Sequence, residues 1–182
     1  MFIEDTDDVE ESLQSGNFKP IWGVLNALKS HDETLSLELD QLRTNLGRQG
    51  GGGSVGSLPE KVVFDLPKTV DESFSDALKT IVIDKTTDSW EFWYGLLLNY
   101  HKDNGDVLVN TRYKVDGFNL GIWVSGQRYS QVKGQLSPER IQRLDNLGFI
   151  WDDVEHSWNK GYQYLKQYVI DNKDALVNYS YK

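Results

Sequence analysis

Cysteine is absent from the 182 residues. With it go disulfides, thiolate zinc sites and cysteine nucleophiles, and a reducing cytoplasmic location is the expectation. No apolar run approaches the ~18 residues of a membrane-spanning helix. The opening MFIEDTDDVEE is acidic and has neither the basic nor the apolar part of a secretory signal. The sequon Asn178-Tyr179-Ser180 therefore carries no weight. Histidine is scarce, and His31, His101 and His156 lie far apart without ligand spacing, so no metal site is expected. No ordered Ser–His–Asp set is visible, and no catalytic residue is assigned. Base is also in deficit. Nineteen Lys and Arg face 28 Asp and Glu, a net charge of −9, so the chain binds a polyanion poorly unless its bases cluster.

What is present is unevenly spread. Residues 1–89 hold 17 acids and 8 bases, residues 90–157 hold 9 and 7, and residues 158–182 hold 2 and 4. The acidity thus belongs to the first half. Aromatics run the other way, with every tyrosine and five of the six tryptophans at or after position 90. Two physically different segments share the chain.

The acidic stretch from Glu4 to Glu11 reads as solvated, since its carboxylates lack the spacing of a calcium loop. A helix is predicted from Pro20, carrying Ile21, Val24, Leu25 and Leu28. Ser30 and Glu33 are spaced as a capping box. Leu35, Leu39, Leu42 and Leu46 follow as one stripe of a second helix, expected to end at Gly47. Gln49 to Gly56, QGGGGSVG, reads as a linker. It is no phosphate loop, because Ser57-Leu58-Pro59 stands where Gly-Lys-Ser/Thr is needed. Val62, Val63, Phe64 and Leu66 form a short β-like run. Thr69 and Glu72 are spaced as a second capping box, before a helix carrying Phe74, Leu78, Ile81 and Val82.

An internal repeat follows. Shifting the chain by 68 residues lays WEFWYGLLLNYHKDNGDVLVNTRYK over WNKGYQYLKQYVIDNKDALVNYSYK without a gap, and twelve of the 25 positions agree. Trp90 meets Trp158, Tyr94 meets Tyr162, Leu97 meets Leu165 and Tyr100 meets Tyr168. This is a duplicated supersecondary unit. In the first copy, Trp90, Trp93, Tyr94, Leu97 and His101 share a helix capped near Ser89 and ended by Asn104-Gly105. Val107 to Asn110 is expected to be extended, and Asp116-Gly117 to turn. Leu120, Trp123 and Val124 open a second helix that stops at Gly134. Ser137 caps a third, with Pro138 first and Ile141, Leu144 and Leu147 inward. Phe149 and Trp151 close over the core. The second copy stops after its first helix, so the chain is expected to be a fragment of a longer protein. That helix, led by Trp158, is expected to dock on the first repeat, to pair with another molecule, or to remain unformed.

The blocks DGFNLGIWVSGQR and GQLSPERIQRLDNLGFIW resemble the bacterial helicase-associated domain. The residues that carry the resemblance are Leu120, Gly121, Trp123, Gln127 and Arg128, then Leu136, Ser137, Glu139, Arg140, Leu144, Asp145, Leu147, Gly148, Phe149 and Trp151. It covers 90–157 closely and 158–182 in part. Residues 1–89 resemble, more weakly, the stretch that follows the second motor lobe of superfamily 2 (DEAD/DEAH-like) helicases. The resemblance implies tandem repeats at the C-terminus of an ATP-dependent helicase, with ATP and magnesium held by motor lobes elsewhere in the parent protein. No Walker A sequence or DExH box occurs in this chain, so no cofactor is expected here and the fragment should not hydrolyse ATP.

The fold class expected is mainly α. A helical post-motor region spans 1–49, a glycine-rich linker 50–58 and a short strand with a connecting helix 59–89. A three-helix repeat spans 90–157 and a truncated second repeat 158–182. Phosphates call for Lys or Arg. The nucleic-acid-binding candidates are therefore Arg112, Lys114, Arg128, Lys133, Arg140 and Arg143. The second and third helices of the repeat have the order of a helix-turn-helix, with Gln142 and Asn146 available for readout. Against this, Arg128 and Arg140 lie beside Glu139 and Asp145 in the motif and are equally suited to structural ion pairs. The expected function is a non-catalytic accessory region of a helicase that binds DNA or RNA weakly. The alternative is a structural or interaction module docking on the motor lobes of the same chain.

Overall fold

The computed structural model describes residues 19–50, 56–63 and 72–178. The acidic stretch from Glu4, Thr69 and most of the glycine run lie outside them. Seven α-helices form among the described residues: α1 (Lys19–His31), α2 (Glu33–Arg48), α3 (Glu72–Thr86), α4 (Ser89–Asn104), α5 (Leu120–Val132), α6 (Pro138–Asp145) and α7 (Asp153–Asn172). None is long and apolar enough to cross a membrane. The β-like run is corrected where it is described. Val62 and Val63 are irregular, because the Val62 N–H closes a turn onto the Pro59 carbonyl at 2.8 Å instead of a ladder. Val62 also packs beside the Leu39 and Ile83 cluster. The described residues divide into two compact units, one up to Trp123 and one from Val124 onward.

In the first unit, α1 and α2 are separated by one residue. Asp32 is extended and caps α2, its carboxylate accepting from the Leu35 N–H at 3.0 Å. The expected Ser30 cap is not formed. Ser30 instead donates back to the Ala27 carbonyl, since a break of one residue leaves the cap to its own side chain. Lys61 also donates to Asp32, at 2.5 Å. These two bonds hold the Asp32 carboxyl below its usual range, the lysine having the larger effect.

Helix α3 joins two apolar clusters. Leu78, Ile81 and Val82 meet Trp22 of α1, whereas Ile83 meets Leu35, Leu39 and Leu46 of α2. Each such fully buried aliphatic contributes about 1.5–3 kcal/mol. The closest packing is between α2 and α4, and glycine makes it possible. A Cβ on Gly47 would lie 1.9 Å from the Phe92 carbonyl oxygen, and one on Gly95 would lie 2.0 Å from that of Thr44. Gly47, expected at the end of α2, is its penultimate residue and also allows a backbone approach. Beside the crossing, the Thr44 hydroxyl donates to the buried Glu91 carboxylate at 3.0 Å. Arg43 places its guanidinium 5.6 Å from the Phe92 ring centre and pairs with Asp84. Burial lowers the Arg43 pKa, and the charge of Asp88 opposes that shift.

Helix α4 begins at Asp88, whose carboxylate caps the Trp90 N–H at 2.8 Å, and ends on left-handed Gly105. The three helices expected for the repeat form as α4, α5 and α6, with the boundary between the units falling inside α5. In the second unit, Gly134 (φ 66°) ends the α5 turn, and Ser137 caps α6 with Pro138 first. Val124, Leu144 and Phe149 are buried. Asp152 caps α7. No residue of α7 is buried; the helix forms with an exposed face, which sets aside the expectation that it stays unformed. Its ends explain the order. A carboxylate cap at one end and left-handed Lys173 at the other satisfy terminal backbone groups locally.

Candidate nucleic-acid interface

The six cations proposed to meet phosphate divide between the units. Arg112 and Lys114 belong to the first, on the loop after α4. The Asn110 carboxamide oxygen accepts from the Arg112 N–H at 2.9 Å, and the Asn110 carbonyl accepts from Tyr113 at 2.8 Å. Val115 and Phe118 then exchange two backbone hydrogen bonds around Asp116 (φ 49°) and Gly117 (φ 84°). Two left-handed residues at a two-residue turn make a tight hairpin, as the Asp-Gly pair predicts. The loop is anchored by aromatic contacts. Phe118 lies edge-on to Phe92 at 4.9 Å and to Trp93 at 5.8 Å. Tyr113 meets Tyr100 edge-on at 5.0 Å. Burial, with Asp106 and Tyr113 adding to it, raises the Tyr100 pKa, so the phenol stays protonated and donates to the Leu108 carbonyl. Arg112 and Lys114 flank this anchored tyrosine and are both exposed.

The remaining four cations belong to the second unit. Arg128 is engaged on three sides. Its Nε donates to the Ile150 carbonyl at 2.8 Å, its guanidinium lies 5.3 Å from the Phe149 ring centre, and Asp153 is 3.6 Å away. It ties the 149–153 segment to α5. Arg143 pairs with Glu139 at 3.8 Å, one turn back on α6. Arg140 is half-buried. Lys133 is exposed, with its ammonium 5.5 Å from the Tyr129 ring centre. The solvent face of α6 therefore presents Glu139, Gln142, Asp145 and Asn146. Asp145 also accepts from the Trp151 indole at 2.7 Å. A groove-reading helix needs an outer face that tolerates phosphate, and two carboxylates on this one work against that.

Among the described residues, no group of three or more histidines and carboxylates is placed to hold a metal ion. The sequence reading missed the Thr44–Glu91 pair and the Gly47–Gly95 crossing. The signal available for the crossing was a glycine inside each of two strongly periodic helices, but which glycines meet is a tertiary fact.

The duplication is visible atom by atom. Trp90 stacks on Tyr94 at 4.9 Å and 13°, and Trp158 stacks on Tyr162 at 5.3 Å and 11°. Asn104 Nδ2 donates to the Tyr100 carbonyl at 2.9 Å, and Asn172 does the same to Tyr168 at 3.0 Å. Tyr168 reaches the Leu176 carbonyl at 3.1 Å, as Tyr100 reaches that of Leu108 at 3.4 Å. Asp106 and Asp174 each accept, at 2.9 Å, from the N–H two residues on.

No curated protein and no solved structure matches the chain. Residues 87–152, which run from the cap of α4 to the cap of α7, match the model of the helicase-associated domain family.

Proposed function

We propose that the chain is a non-catalytic accessory module of an ATP-dependent superfamily 2 helicase, and that it works by packing helices against protein. ATP and magnesium would be handled by the motor lobes, which are also the partner proposed for docking. The observation that carries this reading is the exposed face of α7. Trp158, Tyr162 and Leu165 are 65%, 44% and 38% exposed, although their counterparts Trp90, Tyr94 and Leu97 are buried. Contiguous exposed apolar surface of this kind marks a site for another macromolecule. The engagement of Arg128 and Arg143 inside their own unit points the same way.

Weak contact with DNA or RNA is the second reading, favoured by the exposure of Arg112, Lys114 and Lys133. Calorimetric titration separates the two. The docking reading expects saturable binding to isolated motor lobes of a helicase that carries this repeat. It also expects no binding to short single- or double-stranded oligonucleotides tighter than ~10⁻⁴ M at low salt. Oligonucleotide binding in the ~10⁻⁴–10⁻⁶ M range, lost on Arg112→Glu with Lys114→Glu, would reverse the order of the two readings.

A further inference from the structure

Asn104 is the asparagine of this chain that a glycine follows; every other one precedes a larger residue. The difference is chemical. A backbone nitrogen can attack the side-chain amide of the residue before it, and glycine hinders that attack least because it has no Cβ. Asn104 and Gly105 are both exposed, and nothing lies within 4 Å of where a Cβ on Gly105 would stand. Water therefore reaches the pair.

The closed end of α4 holds the two reacting groups apart. The Asn104 Nδ2 donates to the Tyr100 carbonyl at 2.9 Å, which turns the carboxamide back onto the preceding turn. The Gly105 N–H donates to the His101 carbonyl at 2.8 Å, which aims the nitrogen along the helix. Both bonds belong to the last turn, where a helix frays at least cost, and each opening frees both groups. The second copy repeats the two bonds, from Asn172 to Tyr168 at 3.0 Å and from Lys173 to Val169 at 2.8 Å. Lys173 is also left-handed, at φ 62° against 79° for Gly105. The two helix ends thus differ mainly in the side chain beside the attacking nitrogen.

We propose that Asn104-Gly105 is a self-modification site, gated by opening of the last turn of α4. In the open state the Gly105 nitrogen gives its proton to solvent base and bonds to Asn104 Cγ. The Cγ–Nδ2 bond breaks, and the amide nitrogen takes a proton from water and leaves as ammonia. Water then opens the cyclic imide at one of its two carbonyls. The product is aspartate or a β-linked aspartate whose backbone is one carbon longer. Neither restores the helix end. The new carboxylate has no proton to donate to the Tyr100 carbonyl, and it joins Asp103 and Asp106 at the negative end of the helix. The β-linked form also shifts Gly105 off the His101 carbonyl. The turn that follows is loosened, where Asp106 accepts from the Leu108 N–H and the Tyr100 hydroxyl donates to the Leu108 carbonyl. Conversion is one-way, and it frees the chain that leads into the loop carrying Arg112 and Lys114.

The test incubates the full chain in mildly alkaline buffer at body temperature and follows Asn104 and Asn172 by peptide mapping with mass spectrometry. Asn104 is expected to convert at least ~10-fold faster than Asn172, a barrier difference of about 1.4 kcal/mol. Urea below the unfolding transition speeds the conversion. Gly105→Lys slows Asn104 to the Asn172 rate. Lysine makes the left-handed cap harder to hold, so this slowing reports shielding of the nitrogen and not a tighter helix end. The converted chain, separated by ion exchange, shows faster hydrogen exchange at the Leu108 amide than the parent. An Asn104 that stays intact, an Asn172 that converts as fast, a rate unmoved by urea or by Gly105→Lys, or unchanged exchange at Leu108 would each overturn the proposal.

Discussion

Helices α4 and α7 carry one motif in two environments. Both stack a tryptophan on a tyrosine one turn on, end in a left-handed residue and bond a tyrosine hydroxyl to the carbonyl eight residues later. Yet the leading tryptophan is 5% exposed in one and 65% exposed in the other. The local bonds of the motif therefore do not depend on burial. They are side-chain to backbone contacts within a dozen residues, and a helix closed at both ends holds them unaided. Burial adds the large energy, and α4 has α2 on one side and Trp123 on the other.

The contrast can be broken in graded steps. Gly95→Val has the largest expected effect, because its side chain would overlap the Thr44 carbonyl. A loss of at least ~3 kcal/mol is expected in urea unfolding, whereas Gln163→Val, at the duplicate position, leaves the midpoint in place. Trp90→Ala is expected to cost a similar ~3–5 kcal/mol. Trp158→Ala should stay within about 0.5 kcal/mol, and equal losses at the two sites would remove the distinction drawn here. Thr44→Val strips the buried Glu91 of a donor and is expected to cost about 1–3 kcal/mol. Tyr100→Phe and Tyr168→Phe sharpen the likeness instead, with about 0.5–1.5 kcal/mol for the first and a fraying of the α7 end, seen by hydrogen exchange, for the second.

The smallest effect is a pH effect at the head of α2. The folded Asp32 carboxyl titrates below its ordinary value of 3.8. Its contribution is therefore complete well above that value and is lost as pH falls through the lower, folded one. Asp32→Asn should flatten the acid limb of the stability profile in that window, and an unchanged limb would assign acid sensitivity elsewhere.

Much of the fold was legible. Pro138 behind Ser137, Gly105 behind Asn104 and Asp116-Gly117 are local signals, and each forms as read. The misses have different causes. Ser30 lost the α2 cap to Asp32 because the break between the helices is a single residue, whereas the packing role of Gly47 depends on what lies opposite. Arg128 illustrates the same limit in the candidate site. Its side chain suits phosphate or carboxylate equally, and the placement of Ile150, Phe149 and Asp153 around it is what engages it inside its own unit.

By itself the amino-acid order determined the helices, their punctuation and the duplication, since these arise from interactions within a few turns of chain. Tertiary structure decided which copy is buried, which glycines let two backbones meet and which cations remain exposed. Those outcomes depend on contacts between residues tens of positions apart, such as Thr44 with Glu91, and neither spacing nor composition encodes them.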